Sequence, residues 1–142
     1  MTTNLVTVSP EDYLSRVTKI FESNEFHHIP VVKQGSVLVG IISKEDFQKM
    51  NYYFFEKMSS ENGNAKHKDG LRASDIMTPY PLNVDPEDTI GLAADIFLAN
   101  RFHALPVIED GSLVGIVTSH DLIRYAFTTA YEPEEKEEVY SE

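Results

Sequence analysis

Two stretches of the chain carry residue types whose spacing could do chemistry, and they are copies of each other. Gly40-Ile41-Ile42-Ser43-Lys44-Glu45-Asp46 stands in the first half and Gly115-Ile116-Val117-Thr118-Ser119-His120-Asp121 in the second. Each runs from a glycine through two β-branched residues to a hydroxyl, with an aspartate three positions further on. Val and Ile pairs favour strand. A Ser or Thr followed at the third position by an acid favours a helix start. Each copy therefore reads as a strand passing straight into a helix N-terminus. Such a corner offers free backbone N–H groups and a positive dipole end, which suit a phosphate or another anion. The same residues also serve as ordinary helix caps, worth about 0.5–2 kcal/mol each.

Other candidates for chemistry are weaker. Ser119, His120 and Asp121 have the residue types of a hydrolytic triad, but consecutive residues fan out by about 100° each on a helical turn and cannot converge. Adjacent His27 and His28 point to opposite faces of an extended segment, and no paired-histidine helix motif or cysteine exists to complete a metal site. Glu11-Asp12 and Glu87-Asp88 repeat, but acids in a first helical turn are what the dipole favours. No nucleophile, base and oxyanion donor converge, so no enzyme activity and no metal are expected.

The elements around the corners repeat as well. Val8-Ser9-Pro10-Glu11-Asp12 matches Val84-Asp85-Pro86-Glu87-Asp88, and Phe26-His27-His28-Ile29-Pro30-Val31 matches Phe102-His103-Ala104-Leu105-Pro106-Val107. The offset is 76 at the prolines and 75 at Gly40 and Gly115, which puts one extra residue near Val37 to Val39 of the first copy. Within each unit a short strand (Leu5 to Val8, Leu82 to Val84) precedes a first helix. Ser9 or Asp85 would cap that helix, with Pro10 or Pro86 at its first position. Leu14, Val17, Ile20 and Phe21, like Ile90, Ala93, Ile96 and Phe97, form its apolar face. A strand (Ile29 to Val32, Leu105 to Ile108), a tight turn at Gln34-Gly35 or Asp110-Gly111, a second strand and a second helix follow. The spacing predicts a helix over 44–58 with Phe47, Met50, Phe54 and Met58 on one stripe. Tyr52, Tyr53 and Phe55 add aromatic surface that suits self-association. The expected layout is a first unit over 1–58, a linker over 59–70, a second unit over 71–131 and a solvated acidic tail over 132–142.

Composition bounds the partners. The 142 residues carry a formal net charge of −11, which disfavours nucleic acid and anionic membrane surfaces. No apolar run approaches the roughly 18 residues of a membrane span. The N-terminus lacks the basic and apolar regions of a secretory signal. With no cysteine, disulfides are excluded and a cytoplasmic setting is compatible.

Two β-α-β-β-α units holding "HHIPVV…GIISKED" and "FHALPVIEDGSLVGIVTSHD", the second introduced by Ala73-Ser74-Asp75-Ile76-Met77-Thr78, resemble a tandem CBS domain pair (the cystathionine β-synthase domain, paired as a Bateman module). The resemblance runs from Leu5 to about Phe127. It implies an α+β fold of two units related by pseudo-two-fold symmetry. It also implies clefts between them for an adenosyl ligand: AMP, ADP, ATP or S-adenosylmethionine. The family's hydroxyl and aspartate positions fall on Ser43 and Asp46 at one site and on Thr118 and Asp121 at the other. Backbone contacts to the base would come from His28-Ile29 and Ala104-Leu105, and the entering segments around Thr3 and Thr78 would close the pockets. Lys44, Arg101 and Arg124 are the nearby cations for phosphate, Arg101 just before the second unit's strand, and arginine's bidentate geometry favours the second site. Met1 aligns with Met77, so the first unit lacks the short helix, Leu71 to Ile76, that leads into the second. The expected function is a non-catalytic regulatory module, dimeric, with no required cofactor, signalling to a partner protein. The alternative is a ligand-free interaction or dimerisation module.

Overall fold

The structure, a computed structural model, describes residues 3–60, 70–100 and 102–128, without the side chains of residues 57–60. Most of the expected linker and the whole acidic tail lie outside these residues. In chain order the elements are α1 (Leu14–Ser23), β1 (His28–Lys33), β2 (Val37–Ser43), α2 (Lys44–Ser60), α3 (Ala73–Ile76), β3 (Thr78–Pro79), α4 (Ile90–Ala99), β4 (Ala104–Glu109), β5 (Ser112–Thr118) and α5 (residues 119–128). The fold is α+β with two repeated units, as the duplication predicts. The described residues divide into two compact units: those of 5–82 with 110–113, and those of 3–4, 83–109 and 114–128.

In the first of these, β2 pairs antiparallel with both β1 and β3. The β1–β2 register runs from His28 opposite Ser43 to Lys33 opposite Val37, with a break at Val31/Val32. Val31 faces Gly40 and Val32 faces Leu38, so Val39 is the bulged residue. It is the extra residue that the 76-to-75 change of offset places near Val37 to Val39. The turn between these strands holds Gln34 at φ 52° and Gly35 at φ 80°, and the β4–β5 turn holds Asp110 at φ 50° and Gly111 at φ 81°. Consecutive positive φ values are the mark of the two-residue turns that match strand twist.

The expected strands before each first helix shrink to single parallel bridges, Val8 to Val31 and Val84 to Val107. In each, one valine N–H donates to the proline carbonyl (Pro30 at 3.1 Å, Pro106 at 2.9 Å) and its carbonyl accepts from Val32 or Ile108 at 2.8 Å. The first helices also start later than the prolines suggest. Residues 10–12 and 86–88 form separate turns, closed by Ser9 N–H donating to Asp12 Oδ2 and Asp85 N–H to Asp88 Oδ2, both at 2.8 Å. With those acids bonded backwards, helix capping resets downstream. Thr89 Oγ1 accepts from Leu92 N–H at 3.1 Å, whereas Leu14 N–H donates to the Leu71 carbonyl at 3.0 Å.

The core of the first unit collects Leu14, Val17 and Phe21 from α1, Ile29 and Val31 from β1, Val39 and Ile42 from β2 and Phe47 from α2. Phe21 and Phe47 stack at 5.1 Å between centroids. Fully burying such side chains contributes about 1.5–3 kcal/mol each. The other core is smaller: Val84, Ala93, Leu105 and Val107 are buried, with Ile96, Phe97, Val114, Val117 and Leu122 packed on them. Ile90, expected on the apolar face of its helix, is exposed instead.

Met77 packs directly over Gly40. A Cβ at Gly40 would lie 2.3 Å from Met77 Sδ and 3.0 Å from Met77 Cβ. The thioether can swing away, but the Cβ moves only with backbone. Gly40→Ala is therefore expected to destabilise the protein by about 1–3 kcal/mol. Thermal unfolding checks this, and Gly40→Ala/Met77→Ala should regain part of the loss as a coupled pair.

Candidate functional site

Both corners form as the spacing predicts, and the hydrogen bonds show how each is held. At the first, β2 passes into α2 between Ser43 and Lys44. Lys44 N–H donates to the His27 carbonyl at 2.8 Å, and Asp46 N–H donates to Ser43 Oγ at 3.1 Å. At the second, Ser119 N–H donates to the His103 carbonyl at 3.0 Å and Asp121 N–H to Thr118 Oγ1 at 3.1 Å. The repeated histidines thus act through their backbone at the strand entrance. The hydroxyls are caps. Each still has its own O–H hydrogen to donate to a ligand oxygen.

The aspartates differ. Thr118 N–H donates back to Asp121 Oδ2 at 3.0 Å, completing a reciprocal capping box. Asp46 is exposed, and its carboxylate takes no hydrogen bond from the described residues. The cations differ too. Lys44 is half-buried and makes no ion pair among the described residues, while neighbouring Glu45 is held by Lys49 at 3.3 Å. Arg124 Nη2 lies 3.2 Å from His120 Nε2 on the same helix. The favour that arginine lent the second corner is offset by these prior engagements.

Several predicted residues come together at the first corner. His28 pairs with Ser43 and Ile29 with Ile42 across β1 and β2. Thr78 pairs with Ile41 on the other edge of β2. α3 brings the chain back along β2, whose open edge is met by β3 and by Tyr80 N–H donating to the Val39 carbonyl at 3.0 Å. Thr3 falls in the compact unit that also holds the second corner. Ala104 and Leu105 are buried at the start of β4, next to His103. Arg101 lies outside the described residues.

Sequence reasoning passed over Tyr80. It is exposed, with φ 45°, between Pro79 and Pro81. A non-glycine residue at positive φ is uncommon, and the Pro-Tyr-Pro run is the signal that marks it. Among the described residues no group of three His, Asp or Glu side chains could hold a metal ion, and no helix is long and apolar enough to cross a membrane.

The profile of the CBS domain matches residues 1–50 and 73–128, both halves of the chain. The chain belongs to the CBS-domain family. CBSX2 of Arabidopsis thaliana, solved in complex with AMP, superposes with a TM-score of 0.75 at 27% identity, over 92% of this chain and 94% of that one. MJ1225 of Methanocaldococcus jannaschii, described as a putative archaeal homolog of g-AMPK, superposes at 0.76, with 30% identity over 88% of this chain and 45% of its own. An inosine-5'-monophosphate dehydrogenase of Korarchaeum cryptofilum is 34% identical over 120 residues, 84% of this chain and 22% of the enzyme. CBSX1 of Arabidopsis thaliana is 30% identical over 87% of this chain and 59% of its own. The CBS pair thus spans between about a fifth and three fifths of these curated relatives.

The two caps should contribute unequally. Asp121→Ala is expected to cost about 0.5–2 kcal/mol, because it frees Thr118 N–H. Asp46→Ala should stay within about 0.5 kcal/mol, as for an exposed side chain with no bond to lose. Denaturant unfolding of the two variants reads the difference, and equal losses would contradict the asymmetry.

Proposed function

We propose that this CBS pair is a non-catalytic, cytoplasmic regulatory module that binds an adenosyl ligand, in the class of AMP, ADP, ATP or S-adenosylmethionine. It passes the binding event to a partner protein, and it works as a homodimer. The observation that carries the reading is the first corner. There Asp46, whose carboxylate takes no hydrogen bond from the described residues, suits the paired hydroxyls of a ribose, and Lys44, without an ion pair among the described residues, suits a phosphate. Ser43 can donate its hydroxyl hydrogen to the same ligand, and Thr78 stands one strand away, beside Ile41. The AMP complex of CBSX2 supports this chemistry. The proposal therefore favours Ser43, Lys44 and Asp46 as the tighter site, with Thr118, Asp121 and Arg124 as the weaker one. Coupling to a partner requires that the ligand favour one state of the module over another.

A ligand-free interaction module is the second reading. It draws on the exposed Tyr52, Tyr53 and Phe55 of α2.

Thermal unfolding with AMP, ADP, ATP and S-adenosylmethionine separates the two. A true ligand at about 100 times its dissociation constant adds roughly 2.7 kcal/mol, a rise of several degrees in melting temperature. Asp46→Asn should remove most of that rise and Asp121→Asn less of it. No shift with any adenosyl compound would leave the ligand-free reading.

A further inference from the structure

Residues 71–80 cross the first unit as a strap, and its two ends are fastened by different means. The front end is held to the start of α1. Leu14 N–H donates to the Leu71 carbonyl at 3.0 Å, Ala73 N–H to the Asp12 carbonyl at 2.8 Å and Ser74 N–H to the Pro10 carbonyl at 3.1 Å. Ala73 is fully buried, and the Arg72 guanidinium lies 4.9 Å from the centre of the Tyr13 ring. The far end rests on β3, a strand of only two residues, and on Tyr80 N–H at the Val39 carbonyl. Between the ends, the Met77 side chain fills the space that a side chain on Gly40 would take, with Sδ nearest. Met77 also packs against the first core. It is half-buried, within reach of a small oxidant.

We propose that Met77 is a redox-sensitive modification site, where hydrogen peroxide converts the thioether to a sulfoxide and frees the far end of the strap from β2. A sulfur lone pair of Met77 takes one oxygen from the peroxide. The O–O bond breaks, an S–O bond forms and water leaves, so the sulfur is oxidised by two electrons and the peroxide reduced by two. The product is polar and bulkier than the thioether. Its oxygen enters a contact with backbone, which yields less readily than a side chain. It is an acceptor, and the donors beside it are engaged or missing. Met77 N–H is held by the Ala73 carbonyl at 3.0 Å and Tyr80 N–H by Val39 at 3.0 Å, and Pro79 has no N–H. A polar atom held there without a partner is costly, and release of the strap lets water solvate it. Met50, the other methionine whose side chain is described, sits on the side of α2. The front end of the strap keeps its own bonds, so the change is local and reversible. Thr78 follows Met77 directly, so oxidation also weakens the ligand corner; that consequence alone rests on the proposed function.

The full chain, treated with hydrogen peroxide and followed by peptide mass spectrometry, amide proton–nitrogen spectra and thermal unfolding, tests this. Oxygen gained at Met77 should shift the amides of Gly40, Ile41, Thr78 and Tyr80 and lower the melting temperature by several degrees. The dissociation constant for AMP should rise at least about fivefold. The two methionine sulfoxide reductases, one for each epimer, with a dithiol as reductant should restore all three. Met77→Leu, a swap of similar volume, should show none of these changes under peroxide, and Met50→Leu should behave as wild type. If Met77→Leu does not fold, the reductase reversal on wild type carries the test. A Met77 that stays reduced while Met50 is oxidised would overturn the proposal. So would a Met77 sulfoxide with unmoved Gly40 and Tyr80 amides, or the same changes in treated Met77→Leu. Unoxidised wild type that does not bind AMP would remove the reading of the corner, and the amide shifts and melting temperatures would still decide the switch.

Discussion

Each half of the chain depends on one backbone hydrogen bond that ties the start of a strand to the start of a helix. Lys44 N–H reaches the His27 carbonyl at 2.8 Å and Ser119 N–H reaches the His103 carbonyl at 3.0 Å. The bond occupies one of the four N–H groups a helix leaves unsatisfied at its N-terminus. The cap takes another, from Asp46 to Ser43 or from Asp121 to Thr118. Two of the four N–H groups at each terminus are thereby engaged, and the corners add side-chain chemistry for a ligand: a hydroxyl hydrogen, a carboxylate and a cation.

On those side chains the duplicated halves part. Asp121 is drawn into a reciprocal box, and Arg124 lies against His120. Among the described residues Asp46 and Lys44 make no ion pair. The larger core also stands behind the first corner, with Ile29, Val31 and Ile42 almost fully buried and Met77 closing over Gly40. A rigid scaffold with unengaged polar groups suits binding. The second half combines a smaller core with exposed apolar residues on its helices, Leu92 and Leu98 among them.

Much of this was legible in the sequence because it is local. The change of offset from 76 to 75 marks the bulge at Val39, and Gln34-Gly35 and Asp110-Gly111 mark their turns. The spacing of Leu14, Val17, Ile20 and Phe21 marks the buried face of α1, and the i to i+3 hydroxyl–aspartate spacing marks both caps. The differences are contextual. The starts of α1 and α4 moved past Pro10 and Pro86 because Asp12 and Asp88 bond backwards to residues 9 and 85. Thr78 pairs beside the first corner because β2 has an edge to fill, which no local pattern records. The two hydroxyl–aspartate pairs read alike in sequence, and only geometry shows that the Asp121 carboxylate is engaged by its own corner while that of Asp46 takes no hydrogen bond from the described residues.

The central claim is that the Ser43–Lys44–Asp46 corner of this CBS pair takes the ribose and phosphate of an adenosyl ligand. Titration of the isotope-labelled protein with AMP, followed by amide proton–nitrogen spectra, addresses it residue by residue. The account predicts that the amides of Ser43 to Asp46 and of Thr78 shift first and furthest, with Thr118 to Asp121 following at higher concentration. Shifts confined to Thr118–Asp121, or none at either corner at millimolar AMP, would contradict it.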